Sequence, residues 1–497
     1  MPKPTFFFYD LETSGLNSAD DRIMQFAGQR TTLNLKPIDE PINLLVKLND
    51  DTLPSPGAIL TTKITPQSTQ LDGIQENELA EFLSREVFRP DTIILGFNSV
   101  RFDDKFIQHL FWRNFYDPYE WQWRDGRSRW DMLDVVRMTR ALRPEGINWP
   151  FTDDKKPTNR LELITKLNGI SHESAHDALS DVNALIEVTR LIKDRQEKLF
   201  SYLFKMRDKR EVKALINLAK PTPFVYTSGR YGSAHNFTTV VYPLFLTKTG
   251  NVAVFDLRKN LDELLSKQSS SDNGPTDNPT ETAKKPEPDS SPVTKSQPQK
   301  SSEPLYKNLL YPTVKELAFN RCPAVAPLGV LDQESGWQKI DLTREQVQKN
   351  LDSLKSHPEI IKQLKKEFDS DEYDKKPVDV EASLYDSFVP DADRLRLSAI
   401  RTSNASSLAD FHPNFADERL PELLLHYKAK NFPSTLSDEE TKKWQEYRHA
   451  RLNRQSPVFL SELKKFKTEA EKTNNEEHLF LLEELSLWYQ SLQDADY

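Results

Sequence analysis

Three short stretches carry side chains suited to chemistry. The first is Phe6-Phe7-Phe8-Tyr9-Asp10-Leu11-Glu12-Thr13. Side chains alternate along a strand, so Phe6, Phe8, Asp10 and Glu12 share one face. Two carboxylates ending an apolar strand are costly unless something positive meets them. A pair of Mg²⁺ or Mn²⁺ ions would do so, because hard cations take carboxylate oxygens. A strand running out into an acidic turn is the plainer alternative. The second stretch is Gly96-Phe97-Asn98-Ser99-Val100-Arg101-Phe102-Asp103-Asp104. Here the apolar run Ile93-Ile94-Leu95 ends and a helix begins, with Asp103 or Asp104 in its first turn. Acidic residues also favour a helix start through capping and the dipole, so this segment alone does not demand chemistry. The third stretch is Ser174-Ala175-His176-Asp177-Ala178-Leu179-Ser180-Asp181-Val182. Leu179, Val182 and Ile186 form the apolar stripe of a helix. Asp181 lies off that stripe and His176 precedes the first turn, so either could face a cleft.

These residues need a frame. Strand patterns occur at Thr5–Asp10, Ile23–Thr31, Ile42–Lys47 and Thr92–Phe97. Helical periodicity occurs at Glu76–Val87, Phe102–Phe115, Trp130–Leu142, Leu161–Leu167 and Ala178–Ile192. Three strands on short connections, then alternating helices and strands, indicate an α/β domain with a mixed sheet over residues 1–195. Residues 196–345 mix a helix at Gln196–Leu218 with short strands, as in a small β domain. From residue 346 to 497 the text is helical and charged. The stretch from Ser266 to Pro304 has no aromatic residue and is dominated by Ser, Pro, Thr, Lys and Asp. It cannot bury enough apolar surface to offset its ordering entropy, so a disordered insertion is expected there.

The chain has 497 residues, which suggests about three domains. Its single cysteine, Cys322, excludes an intrachain disulfide and any multi-cysteine metal site. No apolar run approaches the roughly 20 residues of a membrane helix, and a reducing cytoplasm is the expected location. Net charge is −9, from 67 Lys+Arg against 76 Asp+Glu. That average weighs mildly against a nucleic-acid partner, because phosphate contacts need basic surface. Local text differs, however. The segment from Phe111 to Arg124 interleaves aromatic and basic residues, the composition that stacks single-stranded bases.

Asp-x-Glu ending the first strand, an Asp after the fourth, and His-x₄-Asp near the domain's end together resemble the DEDDh pattern of the DnaQ-like, ribonuclease H-like exonucleases. Within that superfamily the chain is similar to bacterial exonuclease I (exodeoxyribonuclease I). Longer strings carry this likeness: Arg113–Tyr119, Ser128–Asp131, Ala141–Pro150, Arg160–Glu162, Asn168–Ile170, Asn320–Pro323 and Tyr427–Pro433. Two departures stand out: Leu11 sits where an aromatic residue is expected, and the Ser/Pro-rich insertion is long.

The resemblance implies a ribonuclease H-like nuclease domain, an SH3-like β domain and an α-helical C-terminal domain. It implies 3′→5′ removal of 5′-mononucleotides from single-stranded DNA, with roles in repair and recombination. Asp10, Glu12 and Asp181 would hold two Mg²⁺ ions, with Mn²⁺ able to substitute, and Asp103 would complete the carboxylate set. His176 would take a proton from the attacking water. Glu12 and Arg160 would bind substrate, with Tyr119, Trp123, Arg137 and Arg143 as further DNA contacts. The implied partner beyond DNA is the acidic tail of the single-stranded DNA-binding protein, and the implied state is a monomer. Two other readings stay open: the same chemistry on RNA, and a silent single-strand-binding scaffold.

Overall fold

The computed structural model describes residues 3–172, 177–271, 306, 310–311, 313–370 and 379–494, with side chains given as far as residue 266 in the helix that ends at 271. The chain divides into two compact units, Met1–Asp208 with Asp374–Tyr497, and Lys209–Tyr373.

In the first unit, β1 (Thr5–Thr13), β2 (Ile23–Thr32), β3 (Ile42–Leu45), β4 (Thr92–Gly96) and β5 (Ser128–Asp131) form one sheet in the order β3-β2-β1-β4-β5. The first three strands pair antiparallel, while β4 and β5 run parallel to β1. This is the expected mixed sheet. The alternation of β1 is equally plain. Phe7, Tyr9 and Leu11 enter a core with Ile94, Phe106, Ile107 and Leu110. On the opposite face Phe6 meets Phe204 edge-on at 5.7 Å between ring centres. Four helices matter to the site: α1 (Asp103–Arg113), α2 (Met132–Leu142), α3 (Leu161–Leu167) and α4 (Ala178–Arg195).

Several elements differ from the sequence expectations. β5 replaces the start of a helix expected from Trp130. The helix begins only at Met132, because Asp131 caps it by accepting from the Leu133 N–H, and the two apolar patterns run together across that cap. The expected helix Gln196–Leu218 is two helices, Glu197–Met206 and Lys209–Leu215. Two short helices, Pro56–Thr62 and Pro66–Asp72, were not expected. Both follow Ser or Thr and carry Pro in the first turn, a recognisable start signal.

Residues 379–494 pack onto the nuclease sheet's surroundings within the same unit. They include α5 (Leu420–Asn431), α6 (Asp438–Thr473) and α7 (Glu476–Asp494). α6 is a single helix of 36 residues that continues through Pro457. A shared apolar core joins Met24, Leu48 and Ile59 to Leu452, Phe459, Leu482 and Leu485. A second joins Trp112 and Phe115 to Ile400, Leu423 and Tyr427. Between them lies a buried ionic cluster. Arg22 donates to Glu381 at 2.5 Å, and Lys430 reaches both Glu381 and Asp51. Arg451 adds contacts to Asp51 at 3.5 Å and Asp379 at 3.0 Å. Burial alone would raise the Glu381 carboxyl, but Lys430, Arg22 and His426 overrule it and hold it well below the usual carboxylate range.

The second unit holds β6 (Phe224–Thr227), β7 (Thr238–Leu246), β8 (Val252–Asp256), β9 (Val314–Leu317) and β10 (Ala324–Pro327). They form one antiparallel sheet in the order β10-β6-β7-β8-β9. The unit continues through the helices Arg344–Lys355 and Pro358–Ser370. The helix Leu261–Ser271 reaches into the first residues of the stretch expected to be unstructured, and the remainder of that stretch, to residue 304, lies outside the described residues.

Candidate active site

The acidic residues converge at the end of β1. Asp10, Glu12 and Asp181 each offer a carboxylate oxygen within 4.8 Å of the others, and among the described residues no other such group occurs. Glu12 sits opposite Gln25 of β2. Gln25 in turn meets the start of α4, accepting weakly from the Ala178 N–H at 3.5 Å and donating to Asp177 at 3.4 Å. Asp177 caps that helix by accepting from the Ser180 N–H. The same residues therefore fix the helix start and bring Asp181, one turn later, over β1.

Asp103 arrives from the other side. β4 ends at Gly96, where an added Cβ would lie 2.4 Å from the Ser99 Cβ, so only glycine lets the chain turn this tightly toward α1. Asn98 then takes a left-handed conformation with φ 68°. Its N–H, and that of Val100, donate to the Asp131 carboxylate at 3.0 and 3.3 Å. The Asp103 side chain is buried and hydrogen-bonds the backbone of Leu11, the residue between the two β1 carboxylates. Of the two aspartates that open α1, Asp103 is thus the one electrostatically coupled to Asp10 and Glu12. Asp104 instead meets Tyr9 and Arg129.

Crowding shows in the proton affinities. Burial, then Asp181, Asp103 and Asp177, push the Glu12 carboxyl up to about 8. Burial and Asp104 push Asp103 to about 8. Asp10 is raised well above its ordinary value by burial and by Asp103, Asp181, Glu12 and Asp177. The chief influences on Asp10 and Glu12 all have the same sign, the pattern of a site built for a positive charge that comes from outside the chain. The converging oxygens and their mutual repulsion fit a bound divalent cation.

The remaining expected residues are placed variously. His176 lies outside the described residues. Arg160 is exposed at the cap position of α3. Arg137 pairs with Asp134 at 2.7 Å, and Arg143 donates to the Leu142 carbonyl. Trp123 is 63% exposed. Tyr119 lies half-buried against Phe388 and the core formed with residues 380–432. Sequence reasoning passed over Gln25, Asp177 and His172. His172 donates to Asp181 at 2.5 Å. A second histidine four positions before His176 was the available signal.

Residues 7–189 match the family described as Exonuclease, residues 207–271 and 297–370 the Exonuclease I SH3-like domain, and residues 378–492 the Exonuclease I C-terminal domain. The chain is 38% identical to Exodeoxyribonuclease I of Haemophilus influenzae over 97% of each chain. It is similar to the zinc-bound Escherichia coli exonuclease I–ssDNA complex at 33% identity and a TM-score of 0.86, covering 99% of this chain and all of that one. It is also similar to a structure of SSB and exonuclease I with an inhibitor, at 34% identity, a TM-score of 0.85 and the same coverage. With a converging carboxylate cluster at the end of β1 and full-length likeness in all three domains, the chain belongs to the exodeoxyribonuclease I family, and it is an exodeoxyribonuclease.

Proposed function

We propose that this protein degrades single-stranded DNA from its 3′ end, releasing 5′-mononucleotides, with two Mg²⁺ ions held by Asp10, Glu12 and Asp181 and with Mn²⁺ as a substitute. The observation that carries this reading is the convergence of those three carboxylates beside Asp103, with no basic side chain among the chief influences on Asp10 or Glu12. Bound there, the ions would lower the pKa of a water and stabilise charge on the leaving 3′ oxygen. Asp103, held by the Leu11 backbone, keeps the fourth carboxylate beside the set. His176 serves as the proton acceptor, a task suited to an imidazole that titrates near neutral pH. Arg160 takes a substrate phosphate through its planar, always-charged fork. Tyr119, Trp123, Arg137 and Arg143 contact the strand by stacking and charge.

The named relatives support the partners. One solved relative carries single-stranded DNA and another SSB, which suits DNA as substrate and the acidic tail of that protein as a docking partner. A monomer acting in the cytoplasm in repair and recombination completes the reading. No described helix is long and apolar enough to cross a membrane.

The test is cleavage of end-labelled single-stranded DNA and RNA of one sequence, with Mg²⁺ or EDTA. Stepwise Mg²⁺-dependent loss from the DNA 3′ end is expected. Preferential RNA cleavage would overturn the substrate, and binding without cleavage would leave a scaffold.

A further inference from the structure

His172 lies on the connection between α3 and α4, outside the four-carboxylate set, yet its side chain is only 4% exposed. Both ring nitrogens are engaged. Nε2 lies 2.5 Å from Asp181 Oδ1, and Nδ1 lies 3.2 Å from the hydroxyl oxygen of Thr165. Thr165 is itself fully buried on α3, its hydroxyl within 2.9 Å of the Glu162 carbonyl and 3.1 Å of the Leu161 carbonyl. An ionised carboxylate only accepts hydrogen bonds, so Nε2 carries a proton and donates it to Asp181.

The arrangement is a short relay from a rigid helix to a metal-binding oxygen. The backbone of α3 holds Thr165, Thr165 holds one edge of the imidazole, and the other edge holds Asp181. Asp181 reaches the cluster from a different element than the other two carboxylates. Asp10 and Glu12 ride on a strand paired to β2 at both positions, with β4 alongside it as far as Phe8. Asp181 stands instead on the first turn of a helix, 19% exposed, with like charges facing it. A donor on Oδ1 fixes the carboxylate's rotation and offsets part of the repulsion.

We infer that His172 is a positioning residue that orients Asp181 for divalent-cation binding, acting through its Nε2 N–H with the opposite ring edge braced by Thr165. This rests on the metal reading given under Proposed function. Hydrogen-bond partners of ligating groups typically change metal affinity or activity by about 10–100-fold when removed.

The experiment uses the metal-stripped full chain and titrates Mn²⁺ while free Mn²⁺ is followed by electron paramagnetic resonance, a readout independent of catalysis. H172F keeps a planar ring without the donor, and H172Q places an amide N–H near the same Asp181 oxygen. Expected is about 10–100-fold weaker Mn²⁺ binding in H172F, substantial recovery in H172Q, and an intermediate loss in T165V. The Mg²⁺ midpoint for cleavage should move in parallel while KM for the oligonucleotide stays within about twofold. Wild-type Mn²⁺ affinity in H172F, or equal losses in H172F and H172Q, would overturn the inference. If H172F does not fold, H172Q and T165V decide by the same titration: near-wild-type affinity in H172Q with a loss in T165V supports it, and no loss in T165V removes the brace. Failure of the underlying metal reading looks different, because then D10N would leave Mn²⁺ binding unchanged.

Discussion

The Tyr9 hydroxyl donates to Asp104 at 2.5 Å, tying the strand residue that precedes Asp10 to the helix residue that follows Asp103. Both partners are buried at 2% exposure. Arg129 of β5 closes on the same carboxylate. One hydrogen bond thus keeps the end of β1 and the start of α1 in fixed relation, and the catalytic candidates on either side of it move together.

Replacing Tyr9 with Phe removes the donor and leaves the ring. The expected loss is about 1–3 kcal/mol of stability, the typical effect of leaving a buried acceptor short of a partner. Urea denaturation measures it. Cleavage should fall as well, since Asp103 loses its neighbour's anchor; unchanged stability and rate would show that Arg129 alone positions Asp104.

Asp10→Asn and Asp181→Asn each keep shape and remove one charge from the cluster. A metal ion contributes several kcal/mol to such hydrolysis, and about 4 kcal/mol corresponds to roughly a 10³-fold fall in rate. Both variants should show losses of this order in single-turnover cleavage. They should also be as stable as the parent, or more so, without metal, because each relieves like-charge repulsion within the cluster.

Metal-free protein should lose stability as pH rises. Glu12 and Asp103 stand at about 8 when folded, against ordinary values of 4.5 and 3.8. Raised carboxyls bind more protons in the folded state. Their contribution is full below about pH 4 and disappears as pH climbs through about 8. Thermal melting in EDTA between pH 5 and 9 should decline, and added Mg²⁺ should restore stability most at the alkaline end. Asp103→Asn should flatten the decline.

Glu381→Ala removes the anion that answers Arg22, Lys430 and His426. Breaking a buried ion pair by deleting one partner costs about 3–5 kcal/mol, to be measured by equilibrium denaturation. The sign with pH is opposite to that of Glu12. Glu381 is depressed, so its contribution is present above about pH 4.5 and is lost as pH falls further.

Much of the site was legible because it is local. The alternation of β1 and the helical period after Ala178 place Asp10, Glu12 and Asp181 without reference to anything distant. The choice between Asp103 and Asp104 was not local. It depends on Tyr9 and Arg129 claiming Asp104, contacts that span 95 and 25 residues. Gln25 escaped for a similar reason, since it belongs to no recognisable pattern until β2 and α4 are adjacent, whereas His172 left only the local signal of a second histidine. Strand β5 was hidden by its cap, Asp131, which ends one element and starts the next. The buried cluster around Glu381 was invisible, because lone charged residues in sequence read as surface.

That cluster also sets a timetable for the nascent protein. Arg22 meets Glu381 across 359 residues. At about 5–20 residues per second, translation takes on the order of 20 to 70 s to supply the missing anion. Throughout that interval Arg22 and Asp51 are charges with their eventual burial site still open to water. The sheet that carries Asp10 and Glu12 can form early, but its surroundings close only when the last quarter of the chain arrives.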